Sequence, residues 1–258
     1  WELRGDECAK LVETALRNGY THIDTAQMYQ NEREVGAGIR ASGVDRDNLF
    51  VTTKIWPENY STSDFARAVD ERLELLNCGP VDLLLLHWPP RSVRMAEAVA
   101  ALNKAKRAGL ARHIGISNFT VAQVEEAVAL SDEPLVCNQI EYHPLINQDK
   151  VRAACARHGL AVTAYCPIAR NKVADEPVIR DIAQRHDASP AQIALAWLAG
   201  HGDVISIPRS SRPERLADNL KALEISLSDD EMAEISTLNS RNLRLVDPEN
   251  VRPQWDAA

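Results

Sequence analysis

The chain has 258 residues and carries 29 Lys plus Arg against 37 Asp plus Glu, a formal charge of −8 with histidines neutral. This mild acidity, without a basic stripe, gives no reason to expect a nucleic acid partner, and 45% apolar with 26% charged residues is an ordinary globular composition. The longest leucine run, Leu83 to Leu86, is far shorter than the roughly 20 apolar residues of a membrane-spanning helix, so no membrane partner is expected.

Short apolar runs alternate with longer amphipathic stretches along the whole chain, the pattern of repeated βα units and a parallel sheet. A helix from about Asp6 to Asn18 comes first. Strands follow at Thr21 to Asp24, Phe50 to Lys54, Val81 to His87, Arg112 to Ile116, Val136 to Ile140, Ala161 to Tyr165 and Val204 to Ile207. Between them the apolar positions take helical spacing, as in Phe65, Val69, Leu73 and Leu76. Ser189 before Pro190 suits an N-cap, Ser228 with Glu231 suits a capping box, and Gly19, Gly43, Gly159 and Gly200 mark helix ends.

No Pro/Gly/Ser-rich linker breaks the spacing, so residues 1–258 read as one domain. A leading helix in a βα repeat should follow a strand of its own, and a closed eight-stranded barrel hides the edges that seven strands leave open. The expectation is a (β/α)8 TIM barrel whose first strand belongs ahead of Trp1, which makes the domain N-terminally incomplete. Cys8, Cys78, Cys137, Cys155 and Cys166 are odd in number and share no CxxC spacing, as expected for reduced thiols in a cytoplasmic protein. The lack of a large exposed apolar stripe favours a monomer.

Parallel barrels gather their chemistry at the carboxyl ends of the strands. Here those ends carry Asp24 with Tyr29 five residues on, then Lys54, then His87. Each alone has an ordinary explanation as a cap, a solvated face or a structural imidazole. Together they form a set suited to proton transfer beside a positive charge. Lys54 would lower the phenol pKa of Tyr29 from about 10, Asp24 would hold Lys54, and a neutral His87 would donate a hydrogen bond to a substrate oxygen.

No side chain supplies a hydride, so reduction would need a nicotinamide. Ser117, Asn118 and Gln139 offer groups suited to a carboxamide, and Tyr165 an aromatic face for a flat ring. After the last strand come Arg209, Ser210 and Ser211, then Arg215, Asp218 and Asn219 on the next predicted helix; the two arginines and two hydroxyls near that helix N-terminus suggest an anion site. GxGxxG, the P-loop, HExxH and zinc-type cysteine spacing are all lacking, and no metal is expected.

These residues stand in phrases that closely resemble the aldo-keto reductase family. They are Gly19-Tyr20-Thr21-His22-Ile23-Asp24-Thr25-Ala26, Tyr29 with Asn31-Glu32 and Val35-Gly36, Thr53-Lys54-Ile55-Trp56 and His87-Trp88-Pro89. Gly115-Ile116-Ser117-Asn118-Phe119, Asn138 through Pro144, and Ile207-Pro208-Arg209-Ser210 follow in the family's order. The resemblance implies NADPH-dependent reduction of aldehydes and ketones to alcohols by hydride transfer, with Tyr29 as proton donor and Asp24, Lys54 and His87 completing a tetrad.

It further implies that nicotinamide stacks on Tyr165 and bonds to Ser117, Asn118 and Gln139. Arg209 and Ser210 would meet the 2′-phosphate, and Arg215 the adenine, with Asp218 and Asn219 nearby. Arg209 stands where many members have Lys; it still grips a phosphate bidentately, and NADH remains a weaker alternative. Compact loops resemble small microbial members, including the diketogluconate reductase group. They imply an open pocket with Trp56, His87 and Trp88, taking small aldehydes, dicarbonyls and keto sugars. The alternative is a cofactor-binding module of the same family with weak catalysis.

Overall fold

Helix boundaries in the computed structural model, which describes residues 1–257, follow the local capping chemistry of the sequence. Thr120 with Gln123, Ser189 with Gln192 and Ser228 with Glu231 each form a capping box, satisfying amide donors that a helix start otherwise leaves unpaired. Gly43 closes its helix in the left-handed region at φ 72°. Gly200 instead caps in right-handed geometry at φ −63°. A Cβ there would press on the tip of the flexible Met232 side chain, within 3.0 Å of its sulfur.

The chain divides into two compact units, residues 1–138 with 250–254, and residues 139–249 with the tail from Trp255. In the first, α1 (Gly5–Arg17) leads to β1 (His22–Asp24) and α2 (Glu32–Ser42) to β2 (Phe50–Ile55). Next come α3 (Thr62–Leu76), β3 (Val81–Leu86), α4 (Met95–Arg107), β4 (Ala111–Ser117) and α5 (Val121–Leu130). β5 (Leu135–Glu141) contributes to this unit up to Asn138 and to the second from Gln139.

The second unit continues with α6 (Asp149–Arg157), β6 (Ala161–Tyr165), α7 (Pro177–Arg185), α8 (Pro190–Ala199) and β7 (Val204–Ser206). It ends with α9 (Glu214–Leu220), α10 (Asp229–Ser236) and the C-terminal tail. The strands lie in one sheet in chain order, and β1–β2, β2–β3, β3–β4 and β6–β7 pair in parallel. All seven expected strands are present, each within a residue of its expected ends. The strand expected ahead of Trp1 falls outside the described residues. Among those residues no helix is long and apolar enough to cross a membrane.

Burial explains why β3 reads as an unbroken apolar run: every residue from Val81 to Leu86 is buried, as a parallel strand covered on both faces requires. The register pairs Asp24 with Thr52, and Lys54 lies two residues farther along β2, so the pleat puts it on the same face one step beyond Asp24. Gly36 lets α2 close on the end of α3, since a Cβ there would overlap the Leu76 carbonyl. Trp197 is buried in the core on α8. The five cysteines are free thiols.

The amino ends of the strands in the first unit are tied by Asp82. Its Oδ2 accepts from the Val51 amide and pairs with Arg46, both at 2.8 Å, while Oδ1 accepts from Arg112 at 2.9 Å. Arg46 also donates to the carbonyls of Cys78, Leu49 and Pro80. Asp82 is buried, but its arginine partners reach solvent, so removing it strands chiefly the Val51 amide and loses charge-assisted hydrogen bonds. Asp82→Ala is therefore expected to lower stability by about 1–3 kcal/mol in chemical denaturation, with the midpoint moving and the slope unchanged.

Candidate active site

β1 ends at Asp24 and β2 delivers Lys54 beside it, a long cationic side chain only 1% exposed. An ammonium that deep must be paired, and Lys54 Nζ donates to Asp24 Oδ1 and, at 2.9 Å, to the Thr25 carbonyl. Burial opposes the charge, but attraction to Asp24 and Tyr29 and hydrogen bonds to both outweigh it and raise the Lys54 pKa. The ammonium therefore persists at neutral pH.

Tyr29 stands at the end of a single 3₁₀ turn, Gln27–Tyr29, that follows β1. Lys54 Nζ lies 5.0 Å from its ring centroid. The ring is edge-on to His87, with centroids 5.8 Å apart. His87 directly follows β3, and its amide donates to the Ile55 carbonyl at 3.1 Å. Burial, assisted by the Lys54 charge, holds its imidazole well below the ordinary value of 6.5. His87 Nδ1 is buried without a hydrogen-bond partner, a polar atom that a bound molecule can satisfy. Asp24, Tyr29, Lys54 and His87 thus come together in the first unit as the sequence suggests.

Two aromatic residues sit beside this group in different ways. Trp56 is half-buried with its ring edge-on to His87 at 5.2 Å, as suits a pocket wall. Trp88, expected to line an open pocket, is buried, and its backbone is tied to the Tyr60 hydroxyl. The exposed aromatic is Trp1, which meets Tyr29 edge-on at 5.9 Å. Trp1 carries no motif to announce it; only the fold brings the start of the chain to Tyr29.

Ser117 ends β4 and Asn118 follows in the left-handed region at φ 65°. Both are buried, and the Asn118 amide donates to the His87 carbonyl at 3.0 Å and the Ser117 hydroxyl at 3.2 Å. This fixes the amide against the same strand end that presents His87. Gln139 is buried in the second unit's part of β5, and half-buried Tyr165 ends β6. Arg209 and Arg215 are exposed, while Ser210 is buried with its hydroxyl in a local turn with Arg212. On α9, Asp218 pairs with Lys221 at 2.8 Å and Asn219 is half-buried.

The donor types fit a nicotinamide dinucleotide phosphate: amides for the carboxamide, a phenol ring for stacking, and guanidiniums for phosphate. Among the described residues no group of three or more His, Cys, Asp or Glu side chains could hold a metal ion.

Glu141, within the run from Asn138 to Pro144, has a structural role that the sequence alone does not announce. Its fully buried carboxylate accepts from the amides of Leu245 at 2.7 Å and Val246 at 2.8 Å, and from His143 Nε2 at 3.0 Å. Because His143 Nδ1 accepts from the Leu145 amide, Nε2 carries the proton given to Glu141. The C-terminal tail is fastened there, and Arg244 stacks on Trp255 at 3.7 Å. A lone Glu late in a strand gives no hint of partners a hundred residues away.

The family model for the aldo/keto reductase family matches residues 1–240. The chain is 43% identical to a methylglyoxal reductase, DkgB, of Escherichia coli O157:H7 over 99% of this chain and 96% of that protein. A solved structure assigned as a 2,5-diketo-D-gluconic acid reductase B superposes with a TM-score of 0.95 at 44% identity, covering 97% of this chain and 89% of that one. An aldo-keto reductase of Bombyx mori, solved in complex with NADP, superposes with a TM-score of 0.89 at 34% identity, covering 97% and 88%.

A depressed imidazole in the folded state means that the unfolded chain binds the proton more readily below pH 6.5. Folding stability therefore falls as pH drops below that value and is regained above it. His22 is shifted the same way, mainly by burial, and His201 is lowered to about 4, also mainly by burial. Nitrogen-detected NMR should find the His87 ring still neutral at pH 6, while the imidazole contribution to stability falls from pH 7 to pH 5 and that of Glu32, whose carboxyl burial pushes up to about 7, rises over the same range. A charged His87 at pH 6 would contradict its burial beside Lys54.

Proposed function

Because the chain belongs to the aldo/keto reductase family, we propose that it reduces small aldehydes, ketones, dicarbonyls and keto sugars to alcohols with NADPH, Tyr29 giving the proton. The observation that carries this reading is the buried Lys54 ammonium, held by Asp24 and hydrogen-bonded to Tyr29, with neutral His87 against the same phenol. A site that only bound a cofactor would have no use for a buried cation aimed at a phenol.

NADPH, when bound, supplies the hydride that reaches the carbonyl carbon. The chain's own residues handle the oxygen. His87 donates a hydrogen bond that draws the carbonyl oxygen toward Tyr29, and the Tyr29 hydroxyl gives its proton as negative charge develops there. The phenolate left behind is stabilised by Lys54, whose charge Asp24 maintains, until a proton from solvent restores the hydroxyl. Low charge at His87 matters here: an imidazolium beside Lys54 would add a second cation and repel the first.

The family resemblance assigns Ser117, Asn118, Gln139 and Tyr165 to the nicotinamide. Arg209 and Ser210 are assigned to the 2′-phosphate, with Arg215, Asp218 and Asn219 toward the adenine end. The similarity to a methylglyoxal reductase and to a diketogluconic acid reductase supports dicarbonyls and keto sugars as the substrate class. Half-buried Trp56 and exposed Trp1 beside the tetrad suit the apolar part of a small carbonyl compound.

Tryptophan fluorescence titrated with NADPH, followed by loss of nicotinamide absorbance with methylglyoxal, tests the proposal. Turnover supports it, and binding without turnover favours the cofactor-binding module. Tyr29→Phe should lower kcat by about 10²–10⁴-fold while the NADPH Kd changes little, since it removes a proton transfer used only in the transition state. Arg209→Ala should weaken NADPH by roughly ten- to a hundredfold and NADH much less, the loss of a charge-assisted contact to one phosphate. Equal losses for the two nucleotides would remove Arg209 from the phosphate site.

A further inference from the structure

The loop that carries Tyr29 is short, polar and tied down at more points than a surface turn needs. Thr25, the residue after Asp24, donates its hydroxyl to Asn31 Oδ1 at 2.7 Å and closes the loop on itself. Asn31 Nδ2 donates to the Leu3 carbonyl at 3.2 Å and approaches the Cys8 sulfur at 3.7 Å, fastening the loop's far end to the start of the chain. Two further contacts grip the chain on either side of Lys54, one on β2 and one just past its end. Gln27 Oε1 accepts from the amide of Trp56, two residues after Lys54, at 2.8 Å. Glu32 Oε1 accepts from the hydroxyl of Thr53, the residue before Lys54, at 2.5 Å.

Glu32 is the unusual member of this set. It opens α2 three residues after Tyr29, yet it is only 2% exposed. A carboxylate at a helix start normally faces water, and burying one is costly unless something specific holds it there. Around it stand the Thr53 hydroxyl and Lys54 from β2, and Arg72 with Glu71 from α3. Arg72 Nε lies 2.7 Å from Glu32 Oε2, close as an ion pair but not aligned as a hydrogen bond. Burial pushes the Glu32 carboxyl up to about 7, against the pull of Thr53 and Arg72. The aligned partner of Glu32 is thus Thr53.

Strand geometry gives that partnership its consequence. Adjacent residues of β2 point to opposite faces, so Thr53 faces the helices while Lys54 faces Asp24 and Tyr29. A grip on Thr53 from the helix side therefore fixes the backbone from which Lys54 projects, and the same helix begins three residues beyond Tyr29. We infer that Glu32 is a positioning residue: by clasping Thr53 it sets the spacing between the Tyr29 hydroxyl and the Lys54 ammonium. The inference rests on Tyr29 being the proton donor, and deepens that reading by naming what holds the donor in register with its cation.

The test uses Thr53→Val, a near-isosteric change that replaces the hydroxyl with a methyl group, alongside Glu32→Ala and Glu32→Gln in the full chain. Thr53→Val should lower kcat about ten- to a hundredfold, the penalty of a misplaced reacting group, while the KM for methylglyoxal and the NADPH Kd change less than about twofold. The pH profile of kcat should shift upward on its alkaline side, because a phenol held less closely to the ammonium ionises at higher pH. Glu32→Ala should match Thr53→Val, and the double variant should be no worse than either. Glu32→Gln, which keeps an acceptor for Thr53, should restore most of the rate.

A readout independent of turnover is the ultraviolet titration of tyrosine in the cofactor-free protein, with Tyr29→Phe identifying the Tyr29 contribution. Loss or displacement of that contribution in Thr53→Val supports the inference. A folded Thr53→Val protein with unchanged kcat, pH profile and Tyr29 titration overturns it. Full turnover in Tyr29→Phe would instead overturn the assignment of the proton donor, and the ultraviolet titration would still report whether Glu32 and Thr53 hold the phenol in place.

Discussion

A lysine ammonium buried to 1% exposure is the constraint around which the first unit is organised. Nothing in a hydrophobic sheet tolerates such a charge unaided, so Lys54 determines what stands near it: Asp24 one pleat away, the Thr25 carbonyl at the end of β1, and the phenol of Tyr29. The short polar runs at the carboxyl ends of β1 and β2 are the compensation for that charge. The apolar run of β3, buried throughout, provides the dry wall that makes the ammonium's field count.

The same low-dielectric surroundings act in opposite directions on neighbouring groups. For Lys54, burial works against the charge and loses to Asp24 and Tyr29; for His87, with no anionic partner, burial and the ammonium both favour the neutral ring. A cation and a neutral hydrogen-bonding ring therefore sit beside one phenol at neutral pH. This separation of charge states comes from which groups are paired and which are merely buried. It needs no unusual residue types.

Much of this was legible in the sequence because it is local or periodic. Strand positions follow from apolar runs bounded by turn residues, and capping boxes at Ser189 and Ser228 are read from spacing alone. Asp24, Tyr29, Lys54 and His87 could be singled out since strand ends in a βα repeat face one way. What the sequence concealed depends on partners far along the chain. Glu141 looks like any strand-end carboxylate until the amides of Leu245 and Val246 arrive, and Trp1 becomes a neighbour of Tyr29 only when the fold brings the two rings together. Trp88, read as a pocket lining from its place after His87, is instead buried.

Asn31 and Glu32 show a subtler limit. As a pair at the start of a helix they invite reading as caps, but neither side chain of the pair makes a capping bond to α2. Asn31 is committed to Thr25 and the Leu3 carbonyl, and Glu32 to Thr53 and Arg72. The helix start gives up a local stabilisation of about 1 kcal/mol so that its polar residues can hold the preceding loop. A local rule broken without local compensation points to a gain elsewhere, and here that gain is the fixed placement of Tyr29 over a buried cation. A loop of this kind achieves with side-chain hydrogen bonds what its short 3₁₀ turn alone could not: a rigid phenol on an irregular segment of backbone.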